Sequence, residues 1–127
     1  MRWLVDGMNV IGSRPDGWWR DRQGAMERLV AALERFAEAS GDEVAVVFER
    51  PPQPPIAAER VEVAHAPRAA ANAGDEEIVR RLAAAADPAS IRVVTSDRAL
   101  ASRALAAGAE VEPAAAFRAR LDDATRR

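Results

Sequence analysis

The stretch WLVDGMNVIG, residues 3–12, places an apolar run directly before a carboxylate, and a glycine, an asparagine and a second apolar pair follow it. Residues 2–5 have the composition of a β-strand. A strand that ends on an acid has two explanations. Either Asp6 begins a turn, which is the usual role of aspartate before glycine, or Asp6 is held at the mouth of a functional site.

Beyond this stretch, segments rich in β-branched residues alternate with segments of helical periodicity. We predict strands at 2–5, 44–48, 61–64, 91–94 and 110–112, and helices at 21–40, 75–86, 98–107 and around Phe117 and Leu121. The proline-rich stretch 51–55 predicts a stiff surface loop. Because helices separate most of the strands, the sequence predicts an α/β fold with a mainly parallel sheet between two helical layers.

The length and composition limit the class of protein. A chain of 127 residues is large enough for one domain with a substantial core, over residues 1–127. No stretch approaches the roughly 18 apolar residues of a membrane span, and the first apolar run is too short for a signal peptide. The absence of cysteine fits a reducing compartment. We therefore expect a cytoplasmic protein with no membrane partner.

The charged residues exclude several function classes. The formal net charge of -2 argues against a broadly basic nucleic-acid binder and leaves a local basic patch open. All 18 basic residues are arginine. Since lysine is absent, the chain cannot be a P-loop protein, a receiver domain or a haloacid-dehalogenase-type phosphatase, all of which need a lysine at the site.

Acidic residues follow the predicted strands. Asp6 follows the first strand, Glu49 the second, and Asp97, in VVTSDRAL, the strand at 91–94. Asp75 begins a predicted helix, with Glu76 beside it. Sites in open parallel sheets form outside the carboxyl ends of the strands. If the first strand and the strand at 91–94 are neighbours, Asp6 and Asp97 therefore face one crevice.

Each acid also has a purely structural explanation. Asp75 and Glu76 suit the first turn of a helix because they complement its dipole, and Ser96 or Asp97 suits the N-cap of the next helix. Their conjunction favours a metal site, because two carboxylates about 4 Å apart repel by about 4 kcal/mol at an effective dielectric constant of about 20. A hard divalent cation, Mg²⁺ or Mn²⁺, is the usual remedy.

Four motifs carry a resemblance to a known family: VDGMNVIG (5–12), VAVVFER (44–50), NAGDEEIVRRL (72–82) and IRVVTSDRAL (91–100). Together they resemble the NYN domain, in particular its YacP-like bacterial branch, within the PIN-like nuclease superfamily. The resemblance implies a Rossmann-like α/β/α domain with a parallel sheet in the order 3-2-1-4-5. It also implies metal-dependent hydrolysis of RNA by an acidic cluster.

The resemblance assigns roles to individual residues. Asp6 matches the first metal-binding aspartate, Asn9 the asparagine that follows it, Asp75 the aspartate at the helix start and Asp97 that of the TSD motif. We expect these four to be catalytic, with the three aspartates holding the metal.

The sequence departs from the family at two acids, which are further candidate ligands. Glu49 stands where relatives usually have aspartate, so a longer side chain must reach the site. Glu76 stands where relatives tend to have the second aspartate of a pair. Both changes keep the charge.

Several residues are candidates for contacts with a substrate. Thr95 and Ser96 can hydrogen-bond a phosphate or a carboxylate, or lie in a solvent-facing turn. Arg98 can contact a phosphate oxygen or pair with a nearby acid. Asn9 can orient Asp6 or a water, or simply belong to a turn.

The stretch RPDGWWRDR, residues 14–22, offers a second substrate surface. Trp18 and Trp19 cannot both point inward from a regular element, so one is expected at the surface. Beside Arg14 and Arg20 it can stack on unpaired bases. The alternative is that the tryptophans pack over the first long helix or in a homodimer interface.

The leading interpretation is a metal-dependent endoribonuclease whose partner is RNA and which needs no small-molecule cofactor. One alternative is an RNA-binding module on the same fold with weak or lost catalysis. Another is a role without nucleic acid, such as a small-molecule phosphoesterase or an interaction domain, which the acidic isoelectric point of about 5.5 allows.

Overall fold

The computed structural model describes residues 1–68, 70 and 72–126. Within these residues the chain forms a parallel sheet with helices on both faces. The strands are β1 (Arg2–Asp6), β2 (Glu43–Phe48), β3 (Val61–His65), β4 (Ile91–Val94) and β5 (Glu110–Glu112). The helices are α1 (Gly7–Ile11), α2 (Arg22–Ser40), α3 (Ala73–Ala84), α4 (Arg98–Ala106) and α5 (Ala114–Thr125), with 3₁₀ turns at Trp18–Arg20 and Pro88–Ser90.

The sheet has the order β3-β2-β1-β4-β5, and all four strand pairings are parallel. Both the parallel sheet and the expected order are confirmed. β1 lies at the centre, where Asp6 is opposite Val47 of β2 and Val5 is opposite Val94 of β4. The chain segments that leave β1 and β4 therefore emerge side by side at the carboxyl edge, where strand order reverses.

The two faces of the sheet are covered by different helices. Alternate residues of a strand point to opposite faces, so Val5 packs in the cluster with α2 and α5, and Leu4 packs in the cluster with α3 and α4. Leu33 of α2 and Ile78 of α3 are fully buried on these two faces. The three-layer arrangement is thus confirmed.

The long helix α2 has clear sequence limits. Asp21 accepts a hydrogen bond of 2.9 Å from the Gly24 N–H and so caps the first turn. Gly41 ends the helix in the left-handed conformation, with φ of 74°, which glycine adopts without a Cβ clash. The predicted helix at 21–40 is confirmed to within one residue.

The segment after β1 is a helix, and not the turn that was one of the two explanations for Asp6. Gly7–Ile11 forms a short helix, α1, packed tightly against β2. A Cβ on Gly7 would lie 2.5 Å from Cε1 of Phe48, so only glycine permits this approach. Five residues are too few to show a helical period, and therefore the sequence pattern does not reveal α1.

Helix α3 also differs from its predicted limits. It begins at Ala73, two residues before Asp75, and ends at Ala84 because Ala85 is extended. Asp75 consequently lies inside the first turn. No helix in the described part of the chain combines the length and the apolar character that crossing a membrane requires.

Candidate active site

A buried aspartate lies at the carboxyl edge of the sheet. Asp6, the last residue of β1, is 9% exposed. Its Oδ2 accepts a hydrogen bond of 3.0 Å from the hydroxyl of Thr95, which follows β4. Thr95 is only 1% exposed, and its N–H donates to the carbonyl of Glu112. Thr95 is therefore a buried positioning residue for Asp6, which excludes a solvent-facing turn role.

The same hydroxyl connects Asp6 to Asp97. Thr95 Oγ1 accepts a hydrogen bond of 3.1 Å from the Asp97 N–H. Asp97 Oδ1 in turn accepts one of 2.9 Å from the Leu100 N–H and caps α4. The capping role expected for Asp97 is confirmed. It occupies one carboxylate oxygen and is compatible with a second role for the other.

Asn9 joins α1 to the loop after β4. Its Oδ1 accepts a hydrogen bond of 2.7 Å from the Ser96 N–H. Ser96 Oγ accepts one of 2.9 Å from the Ala114 N–H at the start of α5. These contacts hold Asn9 and Ser96 in fixed positions beside Asp6 and Asp97. Asn9 thus belongs to a short helix, and not to a turn.

Burial and neighbouring charge perturb Asp6. The pKa of Asp6 is raised from 3.8 to about 6, mainly by desolvation and to a smaller extent by the charges of Asp75 and Asp97. The Thr95 hydrogen bond and the backbone N–H of Asn9 lower the pKa, although Asp6 makes no capping hydrogen bond to α1. A carboxyl group whose pKa is raised toward neutral pH in this way is typical of functional sites.

Asp75 completes the acidic crevice, which we define as Asp6, Asp75, Asp97 and Glu49. Burial is the largest cause of the raised pKa of Asp75, and the charges of Asp97 and Glu49 are the next largest. Glu49 follows β2 and lies against the start of α3, where a Cβ on Gly74 would be 3.3 Å from Glu49 Cγ. The carboxylates from three strand ends and one helix start therefore interact electrostatically.

The two acids that follow Asp75 in α3 pair with arginines. Glu76 is exposed and forms an ion pair of 2.7 Å with Arg103 of α4. Glu77 is buried, and its carboxylate accepts hydrogen bonds of 2.9 Å from Arg80 and Arg81. Glu77 is a structural anchor that the sequence analysis did not separate from its neighbours, because periodicity does not show which of three consecutive acids is buried.

The arginines and tryptophans predicted to contact substrate lie in different settings. Arg14 pairs with Asp122 of α5. Trp18 is half-buried against the core, whereas Trp19 is 49% exposed and packs edge-on to it, with 5.8 Å between ring centroids. The expectation that one tryptophan is exposed is confirmed. Arg20 is exposed beside Trp19.

Arg98 lies at the first position of α4 and is exposed. It makes no ion pair with any residue that the structure describes. The alternative role for Arg98, a salt bridge to a nearby acid, is therefore not seen within the described chain. Arg98 directly follows Asp97 in the chain, and its exposed side chain is available to an anionic ligand.

The donors of the crevice suit a hard cation, because they are carboxylate oxygens. Within residues 1–68, 70 and 72–126, however, no three acidic or histidine side chains converge closely enough to hold a metal ion as they stand. After burial, which is the largest cause, the neighbouring carboxylates nevertheless contribute to the raised pKa values of Asp6 and Asp75, so negative charges lie close together here. The chemistry of the residues therefore fits a divalent cation.

A parallel sheet in this order with acids at its carboxyl edge is the architecture of PIN-like nucleases. The family model of the YacP-like NYN domain matches residues 3–127, and the chain belongs to this family. Its resemblance to the NYN domain is thereby confirmed. No curated protein matches the sequence at a significant level.

Two solved structures are similar over the whole chain. A crystal structure of a mutant form of Rae1 (YacP) from Bacillus subtilis has a TM-score of 0.82 and 26% identity, and covers 100% of this chain and 77% of that chain. A second crystal structure of Rae1 (YacP) from Bacillus subtilis has a TM-score of 0.78 and 25% identity, with coverage of 100% and 76%. Both support membership of a nuclease family.

Proposed function

We propose that this protein is a metal-dependent endoribonuclease that hydrolyses RNA phosphodiester bonds at the acidic crevice. The observation that carries the proposal is the electrostatic coupling of Asp6, Asp75 and Asp97 at the point where strand order reverses. Family membership supports the nuclease class and an RNA substrate.

In this proposal Asp6, Asp75 and Asp97 hold the metal, directly or through water, and Glu49 is a further candidate. A bound Mg²⁺ or Mn²⁺ supplies a water of lowered pKa and neutralises charge on the scissile phosphate. Glu76 is a weaker candidate, because Arg103 already pairs with its carboxylate.

The neighbouring residues position these acids. Thr95 keeps Asp6 oriented and favours its ionised form through the hydrogen bond to Oδ2. Asn9 fixes the backbone at Ser96, which holds the loop that carries Asp97. Arg98, exposed beside Asp97, attracts the phosphate backbone to the crevice.

The test is cleavage of single-stranded RNA by the purified protein, with Mn²⁺, with Mg²⁺ and with a chelator. We expect cleavage only with a divalent metal, and its loss in Asp97→Asn. Asparagine caps helices about as well as aspartate, so this variant should keep α4. Asp87→Asn is a matched control, because Asp87 is exposed and its side chain makes no capping bond. Equal cleavage by Asp97→Asn and wild type would reject the proposal.

A second candidate function is an RNA-binding module with weak or lost catalysis. It is favoured by the absence, among the described residues, of a converged group of metal-ligating side chains. In this case RNA binding persists without cleavage at any metal concentration, and Asp97→Asn has no effect on binding. The same experiment therefore separates the two functions. The homodimer remains a prediction that sedimentation would test.

A further inference from the structure

A cavity of about 380 Å³ lies beside the acidic crevice, between the end of β2 and helices α1 and α2. Its lining combines apolar and charged side chains, which are Met8, Arg22, Met26, Phe48, Glu49 and Arg50. The volume falls within the range of small-ligand sites. Another cavity, of about 290 Å³, lies at the opposite, amino ends of β1, β2 and β4, and no acid of the crevice lines it.

Glu49 belongs to both the cavity and the crevice. It lines the cavity, and its charge raises the pKa of Asp75. It also lies against the start of α3, close to Gly74. A ligand group in the cavity is therefore adjacent to the site where a phosphodiester would be cleaved.

The apolar part of the cavity suits a flat ring. Met8 and Met26 are both half-buried and pack on the core, with the fully buried Phe48 beneath them. Methionine side chains adapt to ligands of different shape and make favourable sulfur–aromatic contacts. An aromatic ring such as a nucleobase can therefore lie against this surface.

The rim of the cavity attracts anions. Arg22 and Arg50 are exposed, and neither pairs with an acid within the described part of the chain. The Arg22 guanidinium lies 5.2 Å from the centroid of the Trp18 ring, a cation–π distance that limits its movement. The site thus offers two cations for a phosphate beside an apolar surface for a base.

We propose that this cavity binds one unpaired base of the RNA strand, and that Glu49 selects a base with an exocyclic amine. The proposal rests on the RNA substrate proposed above. The Glu49 carboxylate accepts a hydrogen bond from the amine of cytosine, adenine or guanine. The corresponding carbonyl of uracil repels the carboxylate. Arg22 and Arg50 contact the adjoining phosphate.

The first test compares two pyrimidine strands. Fluorescence anisotropy at low salt and in a chelator measures the affinity for short labelled oligocytidine and oligouridine, which differ in the group at the ring 4-position. We expect wild type to prefer oligocytidine by on the order of tenfold. We expect Glu49→Gln to lose this preference, because an amide donates as well as accepts. Equal affinities in wild type would overturn the proposal.

The second test uses two arginines of the same helix. Arg22→Ala removes a cation at the cavity, whereas Arg28→Ala removes one from an exposed position of α2 that does not line it. Both variants change the net charge equally. We expect Arg22→Ala to weaken oligocytidine binding by about tenfold and Arg28→Ala by less than about twofold. Equal losses would show a nonspecific charge effect and reject the cavity as the binding site.

The outcomes separate this inference from the proposed function, because binding is measured without metal. If the protein cleaves RNA but binds both strands equally, only the base-binding proposal is rejected. If the protein prefers oligocytidine but does not cleave RNA, the base-binding proposal stands and the nuclease proposal is rejected. A folded protein that binds neither strand contradicts the cavity proposal directly.

Discussion

The Thr95 hydroxyl donates a hydrogen bond of 3.0 Å to Asp6 and accepts one of 3.1 Å from the Asp97 N–H. One side chain thereby fixes the Asp6 carboxylate relative to the backbone of Asp97, at two neighbouring strand ends. Thr95 is 1% exposed, so water does not compete for these contacts. The orientation of Asp6 is therefore built into the fold.

Thr95→Val tests this relationship with a side chain of similar shape. The Thr95 hydrogen bond lowers the pKa of Asp6, so its loss should raise that pKa further above about 6. If ionised Asp6 is required, the acid limb of the cleavage profile should move up by about one pH unit. Stability should fall by about 1 to 2 kcal/mol, because the Asp6 oxygen and the Asp97 N–H lose a buried partner.

Thr125→Val is the matched control for that variant. The Thr125 hydroxyl donates to the Leu121 carbonyl within α5. Its loss should leave the pH profile of cleavage unchanged. An unchanged profile in Thr95→Val as well would show that Thr95 does not tune Asp6.

Asp6→Asn should stabilise the protein above pH 6. The pKa of Asp6 is raised from 3.8 to about 6, so folding favours the protonated carboxyl. Asp6 consequently does not lower the free energy of unfolding well below pH 3.8. The destabilisation grows as the pH rises and reaches about 3 kcal/mol at about pH 6. In urea unfolding at pH 8, Asp6→Asn should be more stable by up to that amount.

The gain from Asp6→Asn should largely disappear near pH 4. Asp123→Asn serves as the control, because Asp123 is exposed and its change should have little effect at either pH. If Asp6→Asn were no more stable than wild type at pH 8, burial of an ionised Asp6 would not oppose folding.

Mn²⁺ should raise the melting temperature of the metal-free protein. The cation relieves repulsion among Asp6, Asp75 and Asp97 and binds only the folded chain. At about 100 times the dissociation constant the shift should be on the order of 5 to 10 °C. Asp75→Asn should reduce the shift sharply. Equal shifts in wild type and Asp75→Asn would place the bound cation elsewhere.

Glu77→Gln should destabilise the fold without affecting the crevice directly. Hydrogen bonds from Arg80 are the largest cause of the lowered pKa of Glu77. The stabilisation is therefore present above pH 4.5 and is lost as the pH falls through the lowered value. At pH 7 we expect a loss of about 1 to 2 kcal/mol in urea unfolding, shrinking in strong acid.

Glu110→Gln provides the comparison for that variant. Glu110 pairs with Arg92 at the surface, where its side chain is 53% exposed. Exposed pairs contribute little to stability. If the two variants lost equal stability at pH 7, burial of Glu77 would not strengthen its ion pairs.

The sequence pattern predicts the sheet well. β4 and β5 are observed with their predicted bounds. β4 is a short apolar segment, whereas β5, which has two acids around one valine, is delimited by Gly108 and Pro113. α1 is not predicted, since it depends on the close approach of Gly7 to Phe48, which is a tertiary contact that leaves no room for a Cβ. Local pattern thus predicts the layers, whereas the close packing around Asp6 requires the folded structure.

The candidate site could likewise be predicted only in part from the sequence. Spacing after the strands brings Asp6 and Asp97 to one edge, as the parallel topology requires. The dual hydrogen bonding of Thr95, the burial of Glu77 and the pairing of Glu76 with Arg103 are contacts between distant segments or packing effects. No pattern of residue types along the chain encodes them.

Cleavage of single-stranded RNA by purified Asp6→Asn, in Mn²⁺ at pH 8, tests the central claim most directly. Since this variant should fold at least as stably as wild type, lost activity cannot be attributed to unfolding. We expect the cleavage rate to fall by roughly 100-fold or more, because a metal-binding carboxylate is removed. A rate equal to that of wild type would contradict a metal-dependent nuclease centred on Asp6.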